Sequence, residues 1–172
     1  FNLGEQKGVS VINEDGRIYL QQTKKKYDLI LIDAFNGNTY LPYQLTSKEF
    51  FELTHSRLKD NGILAMMIHG REPEKERVFS CLSQTIKAAY PFNYFFPDNS
   101  RRIYIFVASK HSLNDDFVNL AKKTEIEELK ETSLDISRNF KEVSIKEKPC
   151  ILTDNLAPIE FLTELDRISS LI

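Results

Sequence analysis

The sequence predicts an α/β fold: an open, mostly parallel sheet layered by helices, with an antiparallel hairpin at one edge. Three observations carry this reading. Strand-like apolar runs at residues 27–35 and 63–68 alternate with segments whose apolar positions recur at helical spacing. The run 27–35 is almost continuously apolar after Asp28, as in a strand covered on both faces. Two further strand-like runs, 92–96 and 103–109, follow closely enough to turn back on one another.

In chain order, the β-branched run 9–13 reads as a strand that stops at Glu14-Asp15-Gly16. Residues 17–26 then read as a short helix with Ile18 and Leu20 to bury. The run 27–35 is the candidate central strand, closed by the turn formers Asn36-Gly37-Asn38. Thr46 or Ser47 can cap the next helix, whose apolar positions are Phe50, Phe51, Leu53 and Leu58. Glu49 completes a capping box with Thr46, and Asn61-Gly62 ends the helix. Residues 63–68 form the next buried strand. Pro73 opens a helix with Val78, Phe79, Leu82, Ile86 and Ala89 on one face, stopped by Tyr90-Pro91. The turn-rich Pro97-Asp98-Asn99-Ser100 joins the two strands of the hairpin. In the tail, residues 115–122 read as a helix, 126–140 carry many charges with weak periodicity, and 152–160 form a compact segment.

Composition bounds the function. At 172 residues, 41% hydrophobic and 28% charged, the chain reads as one soluble globular domain over 1–172. A net charge of -2 exerts no general pull on nucleic acid or an anionic membrane, and Lys24-Lys25-Lys26 reads as the solvated end of a helix. No apolar run approaches the roughly 20 residues of a membrane-spanning helix. Cys81 and Cys150 make no CxxC or Cys/His metal pattern, so free thiols, a cytoplasmic setting and no metal are expected.

Asp15 and Asp33 each close an apolar strand. A carboxylate at the carboxyl end of a buried parallel strand opens into the crevice where open α/β sheets bind ligands, so both are expected at one site. Asp15 before Gly16 reads equally as a helix cap. Asp33 is less easily explained as a turn residue, because Asn36-Gly37 already supplies the turn. Tyr40, Pro42 and Gln44 read either as a pocket wall or as a plain strand-to-helix loop. His69 follows the 63–68 strand at its carboxyl end, whereas His55 and His111 show no ligand spacing with it. The aromatics of 92–96 read as packing.

Three segments taken together, Asp15-Gly16-Arg17-Ile18-Tyr19-Leu20, Tyr27-Asp28-Leu29-Ile30-Leu31-Ile32-Asp33-Ala34-Phe35 and Leu45-Thr46-Ser47-Lys48-Glu49-Phe50-Phe51, resemble the spermidine synthase family. The resemblance runs from residue 9 to residue 110, and Leu152-Thr153-Asp154-Asn155-Leu156-Ala157-Pro158-Ile159-Glu160 looks like the ending of the broader spermidine synthase-like branch. It implies a class I methyltransferase (Rossmann-like) sheet of order 3-2-1-4-5-7-6, present here in part, with the amino-terminal glycine-rich half of the domain missing from the numbered residues. That half is expected from residues outside this numbering or from a second chain, with a homodimer as one route. The implied activity is transfer of an aminopropyl group from decarboxylated S-adenosylmethionine to a small-molecule amine, with neither nucleic acid nor membrane as partner. By the same resemblance, Asp15 lies in the pocket for the adenine amino group, with Gly16, Asp33 and Ala34 also on the nucleoside. Asp33 is the catalytic residue that deprotonates and orients the amine, and Asn36, Tyr40, Pro42 and Gln44 face the acceptor. Asn36 stands where typical spermidine synthases carry a second acid, which weakens putrescine as the acceptor and moves the reading toward the spermidine synthase-like branch. Two alternatives remain open: a non-catalytic domain of the same fold used for association, and a methyltransferase that uses intact S-adenosylmethionine.

Overall fold

Asp15 begins the first regular element: its side chain accepts the backbone N–H groups of Arg17 and Ile18, and α1 (Gly16–Gln22) follows. The computed structural model describes residues 6–34, 41–69, 76–98, 103–113, 116–139, 141–143 and 150–169. After α1 come β1 (Tyr27–Ile32), a 3-10 turn (Tyr43–Leu45), α2 (Lys48–Arg57), β2 (Leu58–His69), α3 (Arg77–Ala89), β3 (Phe92–Asp98) and β4 (Ile103–Ser109). The tail adds α4 (Asp116–Lys123), α5 (Glu127–Asn139), the two-residue β5 (Lys141–Glu142) and α6 (Ile159–Ser169).

The strands form one open sheet in the order β1-β2-β4-β3-β5. β1 and β2 are parallel, and β4 runs antiparallel between β2 and β3, so β3 points the same way as β1 and β2. The expected hairpin therefore lies toward one edge, with only the two-residue β5 beyond it. The four longer strands reproduce the 4-5-7-6 portion of the order that the family resemblance implies. Residues 9–13, expected as a strand, are irregular instead; Val9, Val11 and Ile12 are exposed and no described strand offers them a ladder.

Among the described residues β1 pairs only with β2, which leaves its other edge open. Its two faces differ: Ile32 is buried, whereas Leu29 and Leu31 are 55% and 63% exposed. The same asymmetry continues across the sheet, with Leu64, Met66, Tyr104 and Phe106 buried and Ile63, Ala65, Ile105 and Val107 only half-buried. The buried face packs against α2 and α3. There the Phe79 ring meets Phe95, Tyr104 and Phe106 at centroid distances of 5.1, 5.3 and 5.0 Å, and each such buried ring contributes roughly 1.5–3 kcal/mol.

Ser47, not Thr46, caps α2: its Oγ accepts the Phe50 N–H at 3.2 Å, while the Thr46 hydroxyl donates to the Tyr43 carbonyl at 2.7 Å. Glu49 does not close a capping box with Thr46; its carboxylate accepts the backbone N–H of Asp154 at 3.0 Å. The helix ends at Arg57, before Asn61-Gly62, because Leu58 is drawn into the core as the first residue of β2. α3 buries Val78, Phe79, Leu82 and Ile86 as expected; Pro73 lies outside the described residues. The expectation of free thiols is overturned, since Cys81 and Cys150 form a disulfide across a sequence separation of 69. No local motif announces it. The two segments are already in contact, with the Cys150 N–H donating to Gln84 Oε1 at 2.9 Å.

Candidate functional site

Parallel pairing of β1 with β2 sets the site, because it aims the carboxyl end of β1 at the loop side of the sheet, where Asp33 and Ala34 follow Ile32. A cavity of about 370 Å³ opens there. α1 contributes Gly16, Tyr19 and Leu20 to its lining, and β1 and its extension contribute Tyr27 and every residue from Leu29 to Ala34, so the hollow runs along the open edge of β1 as far as its carboxyl end. Leu45 and Phe50 close it from the 3-10 turn and α2. The walls are therefore mainly apolar and aromatic, with an exposed carboxylate at one end. The hydroxyls of Tyr19 and Tyr27, both lining residues, meet at 3.1 Å.

Gly16, Asp33 and Ala34 line one hollow. Asp15 is the residue immediately outside it. Its Oδ1 accepts from Arg17 N at 2.9 Å and Ile18 N at 3.0 Å, so the helix-cap reading holds, and the second carboxylate oxygen takes no part in those two bonds. Pro42 and Gln44 do not line the cavity. They build the turn that delivers Leu45 to it, with the Pro42 carbonyl accepting from Leu45 N at 2.9 Å. Asn36 and Tyr40 lie outside the described residues. His69 sits exposed at the end of β2 and is not part of the lining, and His55 packs edge-on against Tyr90 at 5.1 Å, where burial lowers its pKa. Among the described residues, no group of three or more His, Cys, Asp or Glu side chains is arranged to hold a metal ion.

A cluster at the rim has no signal in the sequence. The Arg17 guanidinium grips the Asp154 carboxylate at 2.7 and 2.5 Å and donates to the Gln44 carbonyl at 2.9 Å. The Ser47 hydroxyl donates to the same carboxylate at 2.5 Å. The Arg17 hydrogen bond, followed by that of Ser47, holds Asp154 below the usual carboxylate range against the opposing effect of burial, and Asp154 in turn raises the Arg17 pKa. Both residues stood in segments already noted, but 137 residues apart, with nothing in the spacing to pair them.

Comparison with known proteins gives this geometry a family. Residues 3–119 match the spermine/spermidine synthase domain. The polyamine aminopropyltransferase 2 of Aquifex aeolicus (strain VF5) is 30% identical over 121 residues, covering 68% of this chain and 24% of that protein. A probable polyamine aminopropyl transferase of Bifidobacterium longum (strain NCC 2705) is 24% identical over 172 residues, covering 90% and 38% respectively. The chain therefore spans well under half the length of these curated relatives. Among solved structures, spermidine synthase from Thermotoga maritima superposes with a TM-score of 0.57 at 20% identity, over 76% of this chain and 48% of that one. Human methyltransferase-like protein 13 in complex with SAH gives 0.53 at 19%, over 76% and 58%. Both likenesses show the fold, a Rossmann-like sheet common to the two groups. With the sequence match covering most of its length, the chain belongs to the spermine/spermidine synthase domain family.

Proposed function

We propose that the cavity between α1 and the end of β1 holds the thionucleoside part of decarboxylated S-adenosylmethionine, and that the complete protein transfers its aminopropyl group to an amine. The observation that carries this reading is the convergence of Gly16, Asp33 and Ala34 on one apolar hollow that reaches the carboxyl end of a parallel strand. The residues present suit such a ligand. Tyr19, Leu20 and Phe50 offer flat and apolar surface to a nucleoside, and the Asp15 oxygen outside the helix cap can accept an adenine amino N–H. In the reaction, the lone pair of a neutral amine attacks the carbon beside the sulfonium. The carbon–sulfur bond breaks with its electrons going to sulfur, and methylthioadenosine leaves. Asp33 takes the proton shed by nitrogen, and the rest of the acceleration is alignment. Asn36, Tyr40, Pro42 and Gln44 belong to the acceptor side in this reading, and a neutral Asn36 favours an acceptor other than putrescine.

The numbered residues act as one domain of this protein. Further strands, supplied by more of the same protein or by a second copy, complete the sheet along the open edge of β1 and take the part of the hollow beside Leu29 and Leu31, leaving the end lined by Gly16, Asp33 and Ala34 to the nucleoside. No helix among the described residues is long and apolar enough to cross a membrane. A cytoplasmic setting, inferred from free cysteines, loses that support once Cys81 and Cys150 are joined.

A second reading, methyl transfer from intact S-adenosylmethionine, is favoured by the fold shared with the SAH-bound human methyltransferase. Incubating the protein with a diamine and each sulfonium donor in turn, then weighing the product by mass spectrometry, separates the two. An aminopropyl gain supports the leading reading; a methyl gain supports the second. A lack of both, together with no thermal shift from millimolar methylthioadenosine, leaves the non-catalytic association domain.

A further inference from the structure

From the cluster at the rim of the cavity we infer that Asp154 is a positioning residue, which acts through Arg17 to hold the first turn of α1, and with it Asp15, in place. The inference rests on the proposed nucleoside site only for its functional consequence. The segment that carries Asp154 is fastened at several points. The Cys150–Cys81 bond and the Cys150 N–H to Gln84 tie it to α3. Leu152 is buried, its N–H donates to Thr85 Oγ1 at 2.9 Å, and its carbonyl accepts the Lys48 N–H at 2.8 Å. Thr153 and Leu156 then exchange backbone hydrogen bonds of 3.0 and 2.9 Å, which closes a tight turn with Asp154 and Asn155 at its tip. Asp154 is therefore presented by a built support and is not a tail residue that happens to find a cation.

What it presents to is equally fixed. Arg17 is the residue whose own N–H is bound by Asp15, and whose guanidinium forks onto Asp154. One residue thus joins the Asp15 carboxylate to the Asp154 carboxylate. Only 15% of the Arg17 side chain is exposed, against 42% for Asp154, so the charge that needs a partner is the more enclosed one. α1 is seven residues long, too short to hold its own geometry. Its far end has a separate fastening, with Arg57 donating to the carbonyls of Leu20 at 2.8 Å and Gln21 at 3.3 Å. Removing the Asp154 carboxylate loosens only the near end, where Gly16 lines the cavity beside Asp15 and Arg17 is left with its bond to the Gln44 carbonyl.

The test is amide hydrogen exchange on the full 172-residue chain, comparing wild type with Asp154→Ala and with Asp154→Asn, which keeps the shape and removes the charge. Lys59→Ala, which breaks the exposed Lys59–Asp28 pair, serves as the control for losing any ion pair. The Arg17 and Ile18 amides are expected to exchange on the order of tenfold faster in Asp154→Ala, and less so in Asp154→Asn, while the core amides of β2 and β4 stay unchanged and Lys59→Ala leaves α1 alone. Methylthioadenosine, added to the same samples, is expected to bind about tenfold more weakly to Asp154→Ala than to wild type. Unaltered Arg17 and Ile18 exchange in both Asp154 variants overturns the inference. Faster exchange with no methylthioadenosine binding even by wild type upholds the positioning role and removes the nucleoside reading instead.

Discussion

Gly62 lies so near the Tyr27 carbonyl that a Cβ at residue 62 would sit 2.8 Å from that oxygen and 3.0 Å from the Leu58 side chain. Both neighbours belong to the sheet or the core, so neither can swing aside cheaply. Gly62→Ala is expected to cost about 1–3 kcal/mol of stability through overpacking. Urea unfolding of the variant checks this, with a lower midpoint and an unchanged slope as the expected result.

The buried pair Thr54–Tyr90 predicts an asymmetry. The Thr54 hydroxyl donates to the Phe51 carbonyl at 2.8 Å, so its single proton is committed, and the Tyr90 hydroxyl, 2.9 Å away, donates to Thr54. Burial pushes the Tyr90 pKa well up, in keeping with a phenol that stays protonated. Tyr90→Phe leaves Thr54 satisfied and is expected to cost about 1 kcal/mol. Thr54→Val strands a buried hydroxyl and is expected to cost more, about 1–3 kcal/mol. Chemical denaturation of the two single variants measures the order.

Acid should act through Asp154. Its folded-state pKa is depressed, so the stability it contributes is present above its unfolded pKa of about 3.9 and disappears as the pH falls through the lower folded value. Wild type is therefore expected to lose stability below about pH 4 more steeply than Asp154→Ala, with the two profiles running parallel near neutral pH. Denaturant midpoints taken across that range supply the comparison.

Reduction should loosen the tail. Cys81 and Cys150 close a loop of 69 residues, for which chain entropy gives about 4 kcal/mol. Thiol titration of the unfolded protein is expected to find no free thiol before reductant and two after it, with a lower melting temperature in the reduced form. Two free thiols before reductant would contradict the pairing.

What the sequence made legible was local. α3 followed from Val78, Phe79, Leu82 and Ile86 on one face, and the hairpin from two apolar runs around a turn-rich link. β1 was recognisable as a strand, but Leu29 and Leu31 record the surroundings a side chain is suited to, and among the described residues that face has no cover. Ser47 and Thr46 were interchangeable as caps by residue type; the difference lies in Asp154, which claims both the Ser47 proton and, through its N–H, the Glu49 carboxylate. Asp33 could be placed at the carboxyl end of a parallel strand from sequence, whereas Gly16 reaches the same hollow on α1 with no strand before it, so its place was legible only through the family resemblance. The Arg17–Asp154 pair and the disulfide were not legible, since each joins distant segments through packing that no periodicity encodes.

The central claim is that a thioadenosine occupies the hollow between α1 and the end of β1. Titrating the isotopically labelled chain with methylthioadenosine and following its amide resonances tests this most directly. Saturable shifts are expected at Gly16, Tyr19, Asp33 and Ala34, weakened when Asp15 is replaced by Ala. Saturable shifts confined to the opposite end of the sheet, or none at millimolar nucleoside, would contradict it.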